Sequence, residues 1–296
     1  MFIISIFIQY LPAQKVGLVL SGGGAPGIAH IGMLKALEEN DIPIDYITGT
    51  SIGSFIGGLY ASGYSTDEMI SYFKSAGFRR LKRTELIFPK KYFWPTHIIQ
   101  PKRIQKALEL LTRRGTLPTA GNFDSLFVPF RCVASDVYRK MPYVFSSGNL
   151  ATAIRASMTF PFVFEATKVD SLLLFDGGIY NNFPVDIMQQ SFKPDFIIGS
   201  VVAYNPPRAN QNDLMMQLQN MIIHPTNYTI PDSIGIALTF DLKKKSVFDF
   251  SDIDGLVKTG YEETLRQMES IKSRVHRRIS AKEINQKRLL YRNSAL

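Results

Sequence analysis

The chain of 296 residues carries a single cysteine, one tryptophan and four histidines. One thiol excludes an intramolecular disulfide framework. Cys132, set between Arg131 and Val133 in a strand-like run, reads as a small buried apolar side chain. No cluster of Cys and His has metal-ligand spacing, so neither a metal nor an organic cofactor is expected. Repeats and low-complexity segments are absent as well. The N-terminal apolar run, Phe2 to Ile8, is far too short to cross a bilayer and has no basic residues ahead of it. What remains is a chain with 45% hydrophobic residues, enough for one large core rather than two, and a net charge of +9.

Glycine is where the information lies. Two clusters, Ser21-Gly22-Gly23-Gly24-Ala25-Pro26-Gly27 and Gly49-Thr50-Ser51-Ile52-Gly53, each follow an apolar strand-like run (Val16 to Leu20, Tyr46 to Thr48) and precede a helix-like stretch. In that context Gly49-x-Ser51-x-Gly53 reads as a nucleophile elbow: a serine on a tight strand-to-helix turn, where side chains two residues to either side would collide. The triple glycine Gly22, Gly23, Gly24 leaves a backbone free to aim N–H groups at the oxygen that becomes negative when a carbonyl is attacked, with Gly23 and Gly24 as the leading donors.

Other readings of the first cluster are weaker. Gly22-Gly23-Gly24-Ala25-Pro26-Gly27 satisfies G-x-G-x-x-G, but a dinucleotide site needs an acidic residue at the end of the second strand, and that strand delivers Ser51 instead. A P-loop requires Gly-Lys-Ser/Thr, which does not follow.

Three ordered motifs, Ser21 to Gly32, Gly49 to Gly53 and Asp176-Gly177-Gly178 within Leu174 to Val185, resemble the signatures of patatin-like phospholipases. Ile52 to Gly63, Val133 to Asp136 and Ile154 to Pro161 match too, and the resemblance spans roughly Lys15 to Asp254. It implies an α/β fold, a three-layer α/β/α sandwich with a mainly parallel central sheet. It also implies a serine esterase whose Ser51–Asp176 dyad cleaves acyl esters of phospholipids or lysophospholipids through an acyl-serine. Two alternatives stay open: a lipid-binding or scaffolding domain with a slow dyad, and an acyltransferase. One departure concerns Pro26, where the family usually has arginine or lysine; proline brings neither a side-chain cation nor a backbone N–H to the oxyanion region.

For Asp176 alone, the ordinary reading is a turn aspartate ahead of a glycine pair, which only the other two motifs displace. His30, His97, His224 and His276 lie in the first loop-helix, a Pro-rich stretch, before a proline and in the basic tail, poor places for a triad base. An aspartate with the usual pKa of about 3.9 is a weak base for a hydroxyl, so the site must compensate. Arg155, Ser157 and Asp136 are expected to support it.

Three segments follow: 1–14 as signal peptide or extension, 15–255 as the catalytic domain, and 256–296 as a helical basic tail, a junction to a further module. The tail holds ten Lys and Arg against four Glu. Leu256, Val257, Tyr261, Leu265, Met268 and Ile271 have the helical spacing of a face packed on the core, while Arg277, Arg278, Lys287, Arg288 and Arg292 read as a solvated helix or linker and not as a nucleic-acid surface. A second cluster, Phe78 to Arg83 and Phe88 to Trp94, interleaves cations with rings and is a candidate membrane contact. Leu11-Pro12-Ala13 ends the N-terminal run with a small residue suited to cleavage. The expectation is export to the periplasm or outer membrane of a bacterium, or a cytoplasmic place if that run is no signal.

Overall fold

The computed structural model of the protein describes residues 13–81, 101–161, 163–212, 214–242 and 246–294. The expected signal segment and the basic-aromatic stretch beyond Leu81 therefore lie outside the described residues, apart from Ala13 and Gln14. In chain order the elements are β1 (Val16–Leu20), α1 (Ala29–Glu39), β2 (Tyr46–Thr50), α2 (Ile52–Ala61), α3 (Thr66–Lys74), α4 (Ala76–Leu81), α5 (Pro101–Thr116), β3 (Phe130–Asp136), β4 (Met141–Phe145) and α6 (Leu150–Ser157). There follow β5 (Thr167–Val169), β6 (Leu172–Asp176), α7 (Val185–Phe192), β7 (Phe196–Val201), α8 (Leu214–Ile222), β8 (Gly235–Thr239), α9 (Ile253–Arg266), α10 (Met268–Arg274) and α11 (Ala281–Asn293).

β1 is buried on both faces, which is why it reads as a continuous apolar run. Val16, Leu18 and Leu20 enter the larger core, with α1, α2 and α6, while Val19 joins a smaller cluster with Phe183, Met188 and Ile197 on the other face. A Cβ on Gly17 would lie 2.6 Å from the Met188 sulfur, so α7 rests directly on the strand. Helices thus cover both faces of a mixed sheet ordered β5-β6-β3-β2-β1-β7-β8, with β4 added to β3. The centre, β3-β2-β1-β7-β8, is parallel; β4, β5 and β6 are antiparallel to their neighbours. This is the expected three-layer α/β/α arrangement.

The pairing of β3 places the site. Thr50 of β2 pairs with Val133, and the next residue of β3, Ala134, pairs with Asp176 of β6. Both Cys132–Val133 and Ala134–Asp136 pair with β4 on the opposite edge. β2 and β6 therefore occupy one edge of β3 in succession, running head to head, and the chain turns away from the sheet at Ser51 and after Asp176.

α9 lies against α1 with almost no side-chain separation. A Cβ on Gly32 would be 1.9 Å from the Val257 carbonyl oxygen, and one on Gly260 equally close to that of Ala29. Leu256, Met268 and Ile271 are buried as the spacing predicts, but Leu265 faces out at 39% exposure. The second half of the tail departs from expectation. Arg288 is 2% exposed and gives a 2.5 Å hydrogen bond to Glu38, which also accepts the Tyr60 hydroxyl at 2.8 Å. Arg277 pairs with Asp45 and Arg292 with Glu68 and the Gly63 carbonyl. Arg288 and Arg292 clamp the last helix to the core, and Arg277 ties down the segment before it. Phe78, expected in the lipid-facing cluster, is also buried, in contact with Tyr72, Phe73 and Phe250.

Candidate active site

Ser51 has φ 53° and ψ −124°, a backbone conformation that is rare for a residue with a side chain and that raises its hydroxyl above the turn into α2. The glycines on either side are obligatory. A Cβ on Gly49 would sit 2.6 Å from the Gly53 carbonyl oxygen, and one on Gly53 2.4 Å from that of Leu20. Two serines hold the turn: Ser157 at the end of α6 accepts the Ser51 N–H at 2.8 Å and donates to the Val133 carbonyl at 2.5 Å, and Ser54 donates to the Ser51 carbonyl at 2.6 Å.

The Ser51 hydroxyl donates to Asp176 Oδ2 at 2.6 Å. The other carboxylate oxygen accepts the Gly178 N–H at 2.8 Å, and the Asp176 N–H is fixed by the Thr159 carbonyl. Gly177 allows this tight exit from β6, since a Cβ there would lie 2.2 Å from the Val133 carbonyl oxygen; at Gly178 it would lie 2.8 Å from Asn182 Oδ1. Asp176 is 6% exposed, and burial pushes its carboxyl up to about 6, against the opposing pull of the hydrogen bonds from Ser51 and Gly178.

The glycine loop lies against Ser51: a Cβ on Gly22 would be 3.1 Å from Ser51 Cβ and only 2.2 Å from Asn182 Oδ1. Its three N–H groups are not equivalent. That of Gly22 donates to the Asn182 carbonyl at 3.1 Å, which removes it as a donor to a developing oxyanion. Those of Gly23 and Gly24 have no hydrogen-bond partner among the described residues. Thr48 and Thr50 of β2 donate to the carbonyls of Pro184 and Asn181, so the segment after Asp176 is laced to the strand that ends at Ser51. Nothing in the sequence marks the two threonines, and the only local signal for Asn182 is its place in the Asn181-Asn182-Phe183-Pro184 run of the third motif.

The other expected residues divide. Ser157 touches Ser51. Arg155 instead donates to Thr167 at 3.1 Å and reaches the dyad only through Thr159, which meets Thr167 at 2.9 Å and whose carbonyl holds Asp176. Asp136 caps the β3–β4 turn by accepting the N–H groups of Tyr138 and Arg139. His30 is fully buried, bonded to Ser21 and Ser200. His224 packs edge-on to Tyr180, and His276 gives its backbone N–H to Gln14. His97 is outside the described residues. A cleft of ≈410 Å³ opens beside the end of β6, lined by Phe175, Ile179, Tyr180, Met221, Lys140 and His224 among others.

A family model described as patatin-like phospholipase matches residues 18–188, more than half of the chain and both halves of this site. The chain belongs to the patatin-like phospholipase family. Curated members of the patatin-like family that it resembles include lysophospholipase nte1 of Aspergillus fumigatus, 35% identical over 181 residues, and lysophospholipase NTE1 of Saccharomyces cerevisiae, 33% identical over 189. The matches cover 60% and 61% of this chain but only 11% and 10% of those proteins, so it spans about a tenth of the relatives' length. These patatin-like relatives are fungal, which overturns the expectation of an exported bacterial protein. No helix among the described residues is long and apolar enough to cross a membrane. Among solved structures, VipD from Legionella pneumophila shares the patatin-like fold, with a TM-score of 0.56 over 88% of this chain and 67% of that one, at 14% identity.

Proposed function

We propose that this chain hydrolyses an acyl ester of a phospholipid or lysophospholipid, with Ser51 as nucleophile and Asp176 as its base. The observation that carries the reading is the 2.6 Å hydrogen bond from the Ser51 hydroxyl to a buried carboxylate, on a strained turn at the start of a helix. Asp176 takes the Ser51 proton as the oxygen attacks the ester carbonyl. The same proton passes to the leaving alcohol, and Asp176 then activates the water that cleaves the acyl-serine. A carboxyl lifted to about 6 is better matched to this work than one at the usual value near 4. The free N–H groups of Gly23 and Gly24 and the N-terminal end of α2 serve the negative charge that develops on the carbonyl oxygen.

The substrate class rests on family membership and on the lysophospholipase names of the fungal relatives. The cleft beside the end of β6 is lined by none of the dyad or glycine-loop residues, but Phe175, Ile179 and Met221 together with Lys140 in its lining suit an amphipathic lipid with an anionic head. Pro26 brings no cation to the loop, which favours slow turnover over an inactive scaffold because the N–H donors themselves are intact.

Purified protein incubated with mixed phospholipids and lysophospholipids, with products identified by mass spectrometry, tests the reading. Free fatty acid supports hydrolysis; an acylated acceptor alcohol means transfer, and no turnover means binding only. Ser51→Ala and Asp176→Asn each lower hydrolysis by several orders of magnitude, and the double variant is little worse than either single one because the two residues act as a unit. Additive losses overturn the dyad.

A further inference from the structure

His30, on the first turn of α1, is fully buried and takes no part in the chemistry above, yet both of its ring nitrogens are engaged. Nε2 lies 3.0 Å from the Ser21 carbonyl oxygen and Nδ1 2.6 Å from the Ser200 hydroxyl. A carbonyl only accepts, so Nε2 carries the hydrogen and Nδ1 receives the one from Ser200. The ring is neutral, burial pushing its pKa down to about 4.

The carbonyl that it holds belongs to the peptide unit joining Ser21 to Gly22. The N–H of that same unit donates to the Asn182 carbonyl. A peptide unit is planar, so fixing its oxygen on one side and its hydrogen on the other fixes its orientation. Gly23 and Gly24, which follow, have no side chains to restrain them and present N–H groups without partners among the described residues. The Gly22 carbonyl accepts the Ser21 hydroxyl at 3.0 Å, so the unit that carries the Gly23 N–H is held on the Ser21–Gly22 unit that His30 fixes. Ser21 itself extends the pairing with β7, giving its N–H to the Ser200 carbonyl and accepting the Val202 N–H on its hydroxyl at 3.0 Å, so His30 and Ser200 tie the root of the loop to the sheet.

We infer that His30 is a positioning residue: its neutral Nε2–H holds the Ser21–Gly22 peptide and so aims the Gly23 and Gly24 N–H groups at the oxygen that turns negative during ester cleavage. The inference rests on the hydrolase reading and adds to it a group that never meets substrate.

Three variants separate positioning from packing. His30→Gln can place an amide N–H near the Nε2 site, His30→Asn reaches only the Nδ1 site, and His30→Phe keeps the ring and loses both bonds. With a soluble short-chain ester, kcat falls about tenfold to a hundredfold in His30→Phe and His30→Asn with KM little changed, while His30→Gln recovers most of it. Hydrogen exchange at the Gly22 amide, bonded to Asn182, provides a readout that needs no activity. Its protection drops in the Phe and Asn variants and persists in Gln. A wild-type protein without esterase activity sinks the hydrolase reading, and the exchange pattern still decides whether His30 holds the loop. Equal protection in all folded variants, or kcat that follows side-chain volume with Phe closest to wild type, overturns the inference. If His30→Phe does not fold, His30→Asn against His30→Gln makes the same distinction.

Discussion

At the scale of single residues, Asp176 is held in a state that costs stability near neutral pH and serves the proposed chemistry. Its carboxyl is raised to about 6 in the folded protein against about 3.9 in an unfolded chain, so the folded state binds the proton more tightly. The stability this contributes is fully present below the unfolded value and is lost as pH rises through about 6. In the proposed mechanism activity runs the other way, since Asp176 must be ionised to take a proton. Two expectations follow for measurement. kcat/KM on a soluble ester rises with pH through an apparent pKa near 6 and then levels off. Asp176→Asn, inactive, unfolds at higher denaturant than wild type at pH 8, by up to about 3 kcal/mol, and the gap closes below pH 4. Asparagine fits because its carbonyl can accept the Gly178 N–H while the Ser51 hydroxyl turns to accept from its amide. A gap that does not change with pH excludes the carboxyl's burial as its cause.

At the scale of elements, the contact between α1 and α9 matters most to the site, because Ala29, whose carbonyl lies against Gly260, immediately precedes His30. Gly260→Ala drives a methyl to 1.9 Å from a backbone oxygen that cannot rotate away. The helices must part, and chemical denaturation should register a loss of about 1–3 kcal/mol. Leu265→Ala, on the exposed side of α9, changes stability by no more than about 0.5 kcal/mol. A Gly260→Ala protein as stable as wild type removes the close packing from the account. Such elements differ in how far the sequence announces them. The turns at Ser51 and after Asp176 are written in glycines, since a forbidden Cβ leaves a residue type behind. The meeting of β2 and β6 on one edge of β3 leaves no such mark, because register is decided by strands far apart in the chain. Gly22 shows the same limit: its residue type fits a donor loop, but the carbonyl that takes its N–H belongs to Asn182.

At the scale of the whole molecule, the last helix is part of the core, although it lies beyond the family-matched stretch of 18–188. Arg288 looks like one more charge in a basic run, and nothing local marks Glu38, 250 residues away, as its partner. Once buried, the pair is costly to break. Arg288→Ala strands the Glu38 carboxylate beside Tyr60 and lowers stability by about 3–5 kcal/mol, with little relief from salt, whereas the joint change Arg288→Met and Glu38→Gln costs less than the single losses combined. Additive losses mean that the two side chains do not interact. The expected division of the chain at residue 255 therefore cuts through a single packed body.

The head-to-head strands on β3 also make the pair depend on the sheet. Ser51 and Asp176 are 125 residues apart, and no local segment can bring them together. β1, α1, β2 and α2 can form from near neighbours, but the pair exists only once β3 has paired with both β2 and β6, contacts of the long-range kind that form slowly. A growing chain that has not yet delivered β6 holds its serine without its carboxylate. In the proposed mechanism ester cleavage therefore waits for β6 to reach β3, and a partly folded form that lacks β6 has no working pair.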